Sequence, residues 1–178
     1  MEELTIYISY SSEYVSLVNK FRDMLKFKKI RYRCSQDPIG GSISQFEKEI
    51  GRSKFVVIFF CPKYFQSYHC MKEYSLIRKN QVGNKYAVKC CDFKIETITE
   101  SLRSFWGSEY GINNPKNYET LPLEKQYAKD NFFYLEGNCG IEYLAQFFND
   151  IPNYDESRLE VLLEEILKDY YKPVYYPI

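Results

Sequence analysis

Residues 55–60 read Phe-Val-Val-Ile-Phe-Phe, six apolar side chains in succession. A strand with one wet face alternates apolar and polar residues, because successive side chains point to opposite faces. A run without alternation predicts a strand covered on both faces, central in a parallel sheet between helices. Cys61-Pro62 ends the run, a short polar connection from Lys63 to Tyr68 follows, and His69-Cys70-Met71-Lys72-Glu73-Tyr74 opens a helix. His69 and Glu73 are four residues apart, so they share a helix face and are expected to overhang the carboxyl end of the strand. Open α/β sheets bind their ligands in the crevice beyond those carboxyl ends. A carboxylate aimed there is either a functional group or a solvated surface residue.

The rest of the chain alternates in the same way. Leu4 to Tyr10 is rich in β-branched and aromatic residues and reads as a first strand. Ser11 and Ser12 are natural caps for a helix carrying Tyr14, Leu17, Val18, Phe21, Met24 and Leu25 at helical spacing. Ile30 to Cys34 is a second strand, and Asp37-Pro38-Ile39-Gly40-Gly41 is a loop. Ser44-Gln45-Phe46-Glu47 is a capping box that starts the next helix, which Gly51 ends. The Glu73 helix runs to about Lys79 with Met71, Tyr74 and Ile77 on its core side, and Lys85 to Cys91 is a fourth strand. Thr97 to Trp106 has helical character, Asn131 to Leu135 reads as a fifth, edge strand, and Gly140 to Asn149 as a helix. Leu159, Leu162, Leu163, Ile166, Leu167 and Tyr170 stripe a last helix. This order predicts an α/β, flavodoxin-like three-layer fold with a central five-stranded parallel sheet. The expected domain spans residues 1–152, with a C-terminal helix at 153–178 packed on it or extending it. No Gly-x-Gly-x-x-Gly follows the first strand, which argues against a dinucleotide-binding Rossmann site.

Composition removes several classes of function. In 178 residues, 24 basic side chains balance 24 acidic ones, so the basic stripe that neutralises nucleic-acid phosphates is missing. No apolar stretch approaches the ~20 residues that span a bilayer, and no leader pattern opens the chain. A soluble, cytoplasmic protein without nucleic-acid or membrane partners is expected. The six cysteines include no Cys-x-x-Cys pair, so neither a zinc site nor a secreted disulfide framework is expected. Cys61, Cys90 and Cys91 lie in or beside apolar strands and read as small buried hydrophobes.

Three blocks then stand in register: Ile6-Tyr7-Ile8-Ser9-Tyr10-Ser11-Ser12, Gly40-Gly41-Ser42-Ile43 leading to Ile50-Gly51-Arg52-Ser53, and Ser67-Tyr68-His69-Cys70-Met71-Lys72-Glu73. Together they resemble the TIR (Toll/interleukin-1 receptor) domain of the prokaryotic, NAD-cleaving type. They match that family's first-strand motif, the loop after its second strand (the BB loop, residues 35–43 here) and its Trp-Cys-x-x-Glu helix. The resemblance covers residues 4–91 well and the remainder only by strand and helix order.

The resemblance implies an NAD+ nucleosidase that cuts the nicotinamide–ribose bond, giving nicotinamide and ADP-ribose or a cyclised product, in immune signalling against phage. Glu73 takes the place of the family's catalytic glutamate. Ser9, Tyr10 and Ser11 at the end of strand one, Cys34 and Ser35 at the end of strand two, Gly40 and Gly41 in the BB loop, and His69 are the implied substrate contacts. His69 stands where the family usually has tryptophan. An acidic residue that often closes the family's second strand is replaced at Ser35 or Asp37. NAD+ is substrate, with no further cofactor and no metal. The resemblance also implies self-association through TIR–TIR contacts that include the BB loop, and an activator protein or fused sensor. One carboxylate suffices chemically. Glycosidases need an acid for a poor leaving group, whereas nicotinamide is already cationic in NAD+ and departs neutral. The rival reading is a non-enzymatic TIR interaction module, or a virulence factor acting on host TIR signalling. A nucleoside 2-deoxyribosyltransferase-like enzyme fits the blocks less well. A response regulator fits worst, since strand one ends without an acidic pair.

Overall fold

The apolar run lies inside the sheet, and all six of its residues are buried. A computed structural model describes residues 3–34, 43–50, 52–79, 83–94, 96–97, 100 and 156–172. Strand β1 (Thr5–Tyr10) leads through a 3-10 turn (Ser12–Tyr14) into helix α1 (Val15–Phe27), and β2 is Arg31–Cys34. Helix α2 (Ile43–Ile50), strand β3 (Phe55–Phe60) and a second 3-10 turn (Pro62–Gln66) follow. Helix α3 (Tyr68–Lys79), strand β4 (Asn84–Lys89) and helix α4 (Arg158–Tyr170) complete the described elements. The described strands form a four-stranded sheet in the order β2-β1-β3-β4, parallel throughout. The sequence predicts five strands. The fifth, with the helix expected at 140–149 and most of the one expected from Thr97 to Trp106, lies outside the described residues.

The register fixes which side chains share a face. Ser9 pairs with Ile58 and Tyr10 with Phe59, and side chains alternate across a strand. On one face Phe59 meets Phe21 of α1 at 5.8 Å between ring centroids, and Phe55 meets Tyr170 of α4 at 6.0 Å. The Tyr86 hydroxyl donates to Asp169 Oδ2 at 2.6 Å on that same side. Helices α1 and α4 therefore cover one face. On the other, Tyr7 meets Phe46 of α2 at 6.0 Å, and Phe60 meets Tyr74 of α3 at 6.0 Å. Arg33 on β2 donates to Glu49 of α2. The result is an α/β sandwich of helices, parallel sheet and helices, with β3 enclosed as its sequence requires.

Local chemistry explains several boundaries. Helix α1 ends in a Schellman arrangement, with Ile30 N–H donating to Leu25 O at 2.9 Å and Lys29 N–H to Lys26 O at 3.0 Å. Lys29 takes the left-handed position there, at φ 57°, a place more often given to glycine. Ser11 occupies the cap position of the first 3-10 turn without a side-chain cap bond, so the capping expected of it is not made. Helix α2 starts at Ile43, one residue before the capping box suggests. Leu159, Leu162, Leu163 and Ile166 of α4 join the main core. Each such fully buried aliphatic side chain contributes about 1.5–3 kcal/mol. Among the described residues no helix is long and apolar enough to cross a membrane.

Candidate functional site

Glu73 reaches the end of β1 because of how α3 is launched. Cys61 is extended and Pro62 starts the 3-10 turn, where proline's fixed φ suits a first helical position. The turn buries both Tyr64 and Phe65 completely. Ser67 then caps α3, its hydroxyl accepting from Cys70 N–H at 3.3 Å. The segment that the sequence reads as a polar connection is therefore a packed, aromatic turn. Its rings anchor on Phe60, which lies 5.2 Å from Tyr64 and 5.6 Å from Phe65 between centroids.

From this launch the Glu73 side chain points into the protein. It is 1 % exposed, which corrects the expectation of a carboxylate overhanging an open crevice. Ser9, itself fully buried, donates its hydroxyl proton to Glu73 Oε2. Ser9 Oγ also lies 2.8 Å from the hydroxyl of Tyr64. The three polar groups come from β1, the turn after β3 and α3, and meet under the carboxyl end of the sheet. A buried carboxylate is costly unless it is hydrogen-bonded, and Ser9 supplies that bond.

The other predicted contacts divide. Tyr10 is buried, but it pairs with Phe59 and so turns its ring to the α1 face, away from Glu73. It meets α3 through its backbone carbonyl, which accepts from the Cys70 thiol at 3.4 Å. Cys34 pairs beside Ile8 and shares the face of Ile8 and Tyr10. Ser9 and Tyr10, implied together as substrate contacts, thus lie on opposite faces of the sheet, and Ser9 is the one whose hydroxyl bonds Glu73. His69 is exposed, one turn before the buried Glu73. Ser35, Gly40 and Gly41 lie outside the described residues, as do most of the BB loop and Trp106. Sequence reasoning missed Tyr64. The available signal was an aromatic pair, Tyr64-Phe65, inside an otherwise polar connection.

Burial sets the protonation of the surrounding acids. It pushes the Cys70 thiol up, and the charge of Glu73 adds to the effect. Tyr64 is also raised well above the ordinary tyrosine range, by burial first and then by Cys70 and Glu73. Cys61 is pushed up to about 11 by burial, and burial raises Cys90 as well. The thiolate is the reactive form, so these thiols stay protonated and inert near neutrality. Alkylation of the native protein at neutral pH, followed by mass spectrometry, is expected to spare Cys61, Cys70 and Cys90 while half-buried Cys91 reacts first among the described cysteines. Labelling of Cys61 should increase only as pH climbs toward about 11. Equal labelling of Cys61 and Cys91 at neutral pH contradicts this account.

A parallel sheet in the order β2-β1-β3-β4 with helices on both faces defines a flavodoxin-like α/β domain, with a buried serine-bonded carboxylate at its carboxyl end. A family model for the TIR domain matches residues 6–98, just over half of the chain, and the chain belongs to that family. In three dimensions it is similar to the TIR domains in a structure of the activated Roq1 resistosome directly recognizing the pathogen effector XopQ. That similarity has a TM-score of 0.56 at 19% sequence identity, and covers 95% of this chain and 100% of the other. No curated protein sequence matches the chain.

Proposed function

We propose that this TIR domain is an NAD+ nucleosidase, with Glu73 as the catalytic carboxylate. The observation that carries the reading is the placement of Glu73, buried at the carboxyl end of the sheet and bonded by Ser9. In the proposed reaction the bond between the ribose anomeric carbon and the nicotinamide nitrogen breaks. Its electron pair stays with the ring, which leaves as neutral nicotinamide. Positive charge develops on the ribose, and a preorganised carboxylate offsets it in a site of low polarity. Water then bonds to the anomeric carbon and releases a proton to solvent, giving ADP-ribose. A nitrogen of the same molecule in place of that water gives a cyclic product. No general acid is needed, so activity should not fall between neutral and mildly alkaline pH.

Glu73 is 1 % exposed, so NAD+ reaches it only after neighbouring groups part. This supports a resting state released by self-association, with the BB loop (residues 35–43) as a contact and an activator or fused sensor as the trigger. The fold similarity to TIR domains of an activated resistosome supports a role in immune signalling. An anti-phage setting in the cytoplasm is the form of that role we propose. The test is nicotinamide release from NAD+ by wild-type protein, dilute and then concentrated or crowded. Release per molecule is expected to rise with concentration, and no release at any concentration sinks the enzymatic reading.

One observation also suits the interaction-module alternative. A carboxylate this buried can brace α3 against β1, and a scaffold would keep it for that purpose alone. Nicotinamide release and stability, measured on variants of Glu73, separate the two roles.

A further inference from the structure

Tyr64 does two things that can be separated. Its ring packs edge-on against Phe60, with centroids 5.2 Å apart, and against Phe65 at 5.7 Å. Its hydroxyl lies beyond those contacts, 2.8 Å from Ser9 Oγ. A buried aromatic ring needs no hydroxyl for packing, and phenylalanine would fill the same space. The hydroxyl therefore calls for a polar explanation, and Ser9 supplies its partner.

The direction of the hydrogen bonds follows from the proton count. Serine has one hydroxyl proton, and an ionised carboxylate only accepts. With Ser9 donating to Glu73 Oε2, the Ser9 proton is committed. The contact between Ser9 and Tyr64 must then be made by the tyrosine proton. The chain runs one way, from the Tyr64 hydroxyl to Ser9 Oγ to Glu73 Oε2. Burial holds Tyr64 protonated, so it remains a donor from neutral to mildly alkaline pH. A serine that accepts a hydrogen bond is a better donor in turn, since linked bonds polarise one another.

We propose that Tyr64 is a positioning residue for Glu73, acting through Ser9 to fix the rotamer and lone-pair direction of the carboxylate. Tyr64 touches no reacting atom. Its role resembles that of the outer partners which orient metal-ligating side chains from behind, whose loss typically reduces affinity or activity about 10–100-fold. The inference rests on Glu73 being the catalytic carboxylate, and the experiment distinguishes failure of that reading from failure of the relay.

The variants are Tyr64→Phe, Ser9→Ala and the double variant, with Glu73→Gln as reference, each assayed for nicotinamide release from NAD+. Tyr64→Phe is expected to lower kcat roughly 10-fold with KM nearly unchanged. Ser9→Ala should lower it at least as much. The double variant should be no worse than Ser9→Ala alone, because a residue acting through another adds nothing once the intermediary is gone. Losses that multiply in the double variant, or wild-type kcat in Tyr64→Phe, overturn the relay while leaving the role of Glu73 intact. Should wild-type protein release no nicotinamide, the catalytic reading fails, and the relay is judged on the carboxyl-carbon NMR resonance of Glu73. That signal, identified by its loss in Glu73→Gln, is expected to move in Tyr64→Phe. An unmoved signal overturns the relay.

Discussion

Glu73→Gln is expected to lower the rate of nicotinamide release at saturating NAD+ by at least about 100-fold, while the protein melts at the wild-type temperature or above it. Glutamine keeps the size of the side chain and can still accept the Ser9 bond through its amide oxygen. What it removes is the charge. A transition state that gathers positive charge at the anomeric carbon loses its counterion, whereas the ground state loses almost nothing, so kcat should fall far more than KM rises. Stability moves the other way. Holding a carboxylate 1 % exposed carries a desolvation cost that a neutral isostere escapes. A stability equal to that of the wild type, or higher by up to about 1 kcal/mol, is therefore expected. Were Glu73 only a brace between α3 and β1, Glu73→Gln, which keeps the Ser9 bond, would leave nicotinamide release unchanged, and only Glu73→Ala, which removes it, would show an effect, as a loss of stability. Nicotinamide release by Glu73→Gln beside urea denaturation of Glu73→Ala decides between the roles.

The second large effect concerns the floor of the site. Phe60→Ala is expected to cost about 3–5 kcal/mol, a large share of the 5–15 kcal/mol typical of a whole domain. Phe60 is fully buried and is the ring on which the launch of α3 rests. It stacks on Phe65 at an interplanar angle of 7° and meets Tyr64 and Tyr74 edge-on at 70° and 79°. Truncation leaves a cavity under three rings at once, and rings held by a strand and a turn cannot all collapse into it. The control is Phe27→Ala. Phe27 is 87 % exposed, and its loss should change stability by less than about 0.5 kcal/mol. Chemical denaturation of both variants checks the contrast. Equal costs would mean that the packing around Phe60 is wrong.

What the sequence made legible follows from periodicity. Six apolar residues without alternation, rich in β-branched and aromatic side chains and stopped by Cys61-Pro62, read as an enclosed strand, and β3 is one. Met71, Tyr74 and Ile77 recur at helical spacing, and all three are buried. The burial of Glu73 was not legible in the same way. Cys70 and Ser75 are buried along with it, so α3 is enclosed around most of its circumference, and a helix enclosed in this way has no single stripe to read. Tyr64 escaped notice because counting polar neighbours says nothing about a turn that folds its two rings inward. The opposite facing of Ser9 and Tyr10 was available in principle, since neighbouring strand residues cannot share a face. The family resemblance grouped them, and the register of β1 against β3 separates them.

The proposed cleavage of NAD+ turns on one carboxylate, and one side-by-side assay addresses it most directly. Wild-type protein and Glu73→Gln, matched in concentration and in folded fraction by melting temperature, are incubated with NAD+ at the highest attainable concentration, and nicotinamide is quantified over time. The expected result is sustained release by the wild type and release at the protein-free background by the variant. Equal release by the two folded proteins, or none by either, would contradict the assignment of Glu73 as the residue that cleaves NAD+.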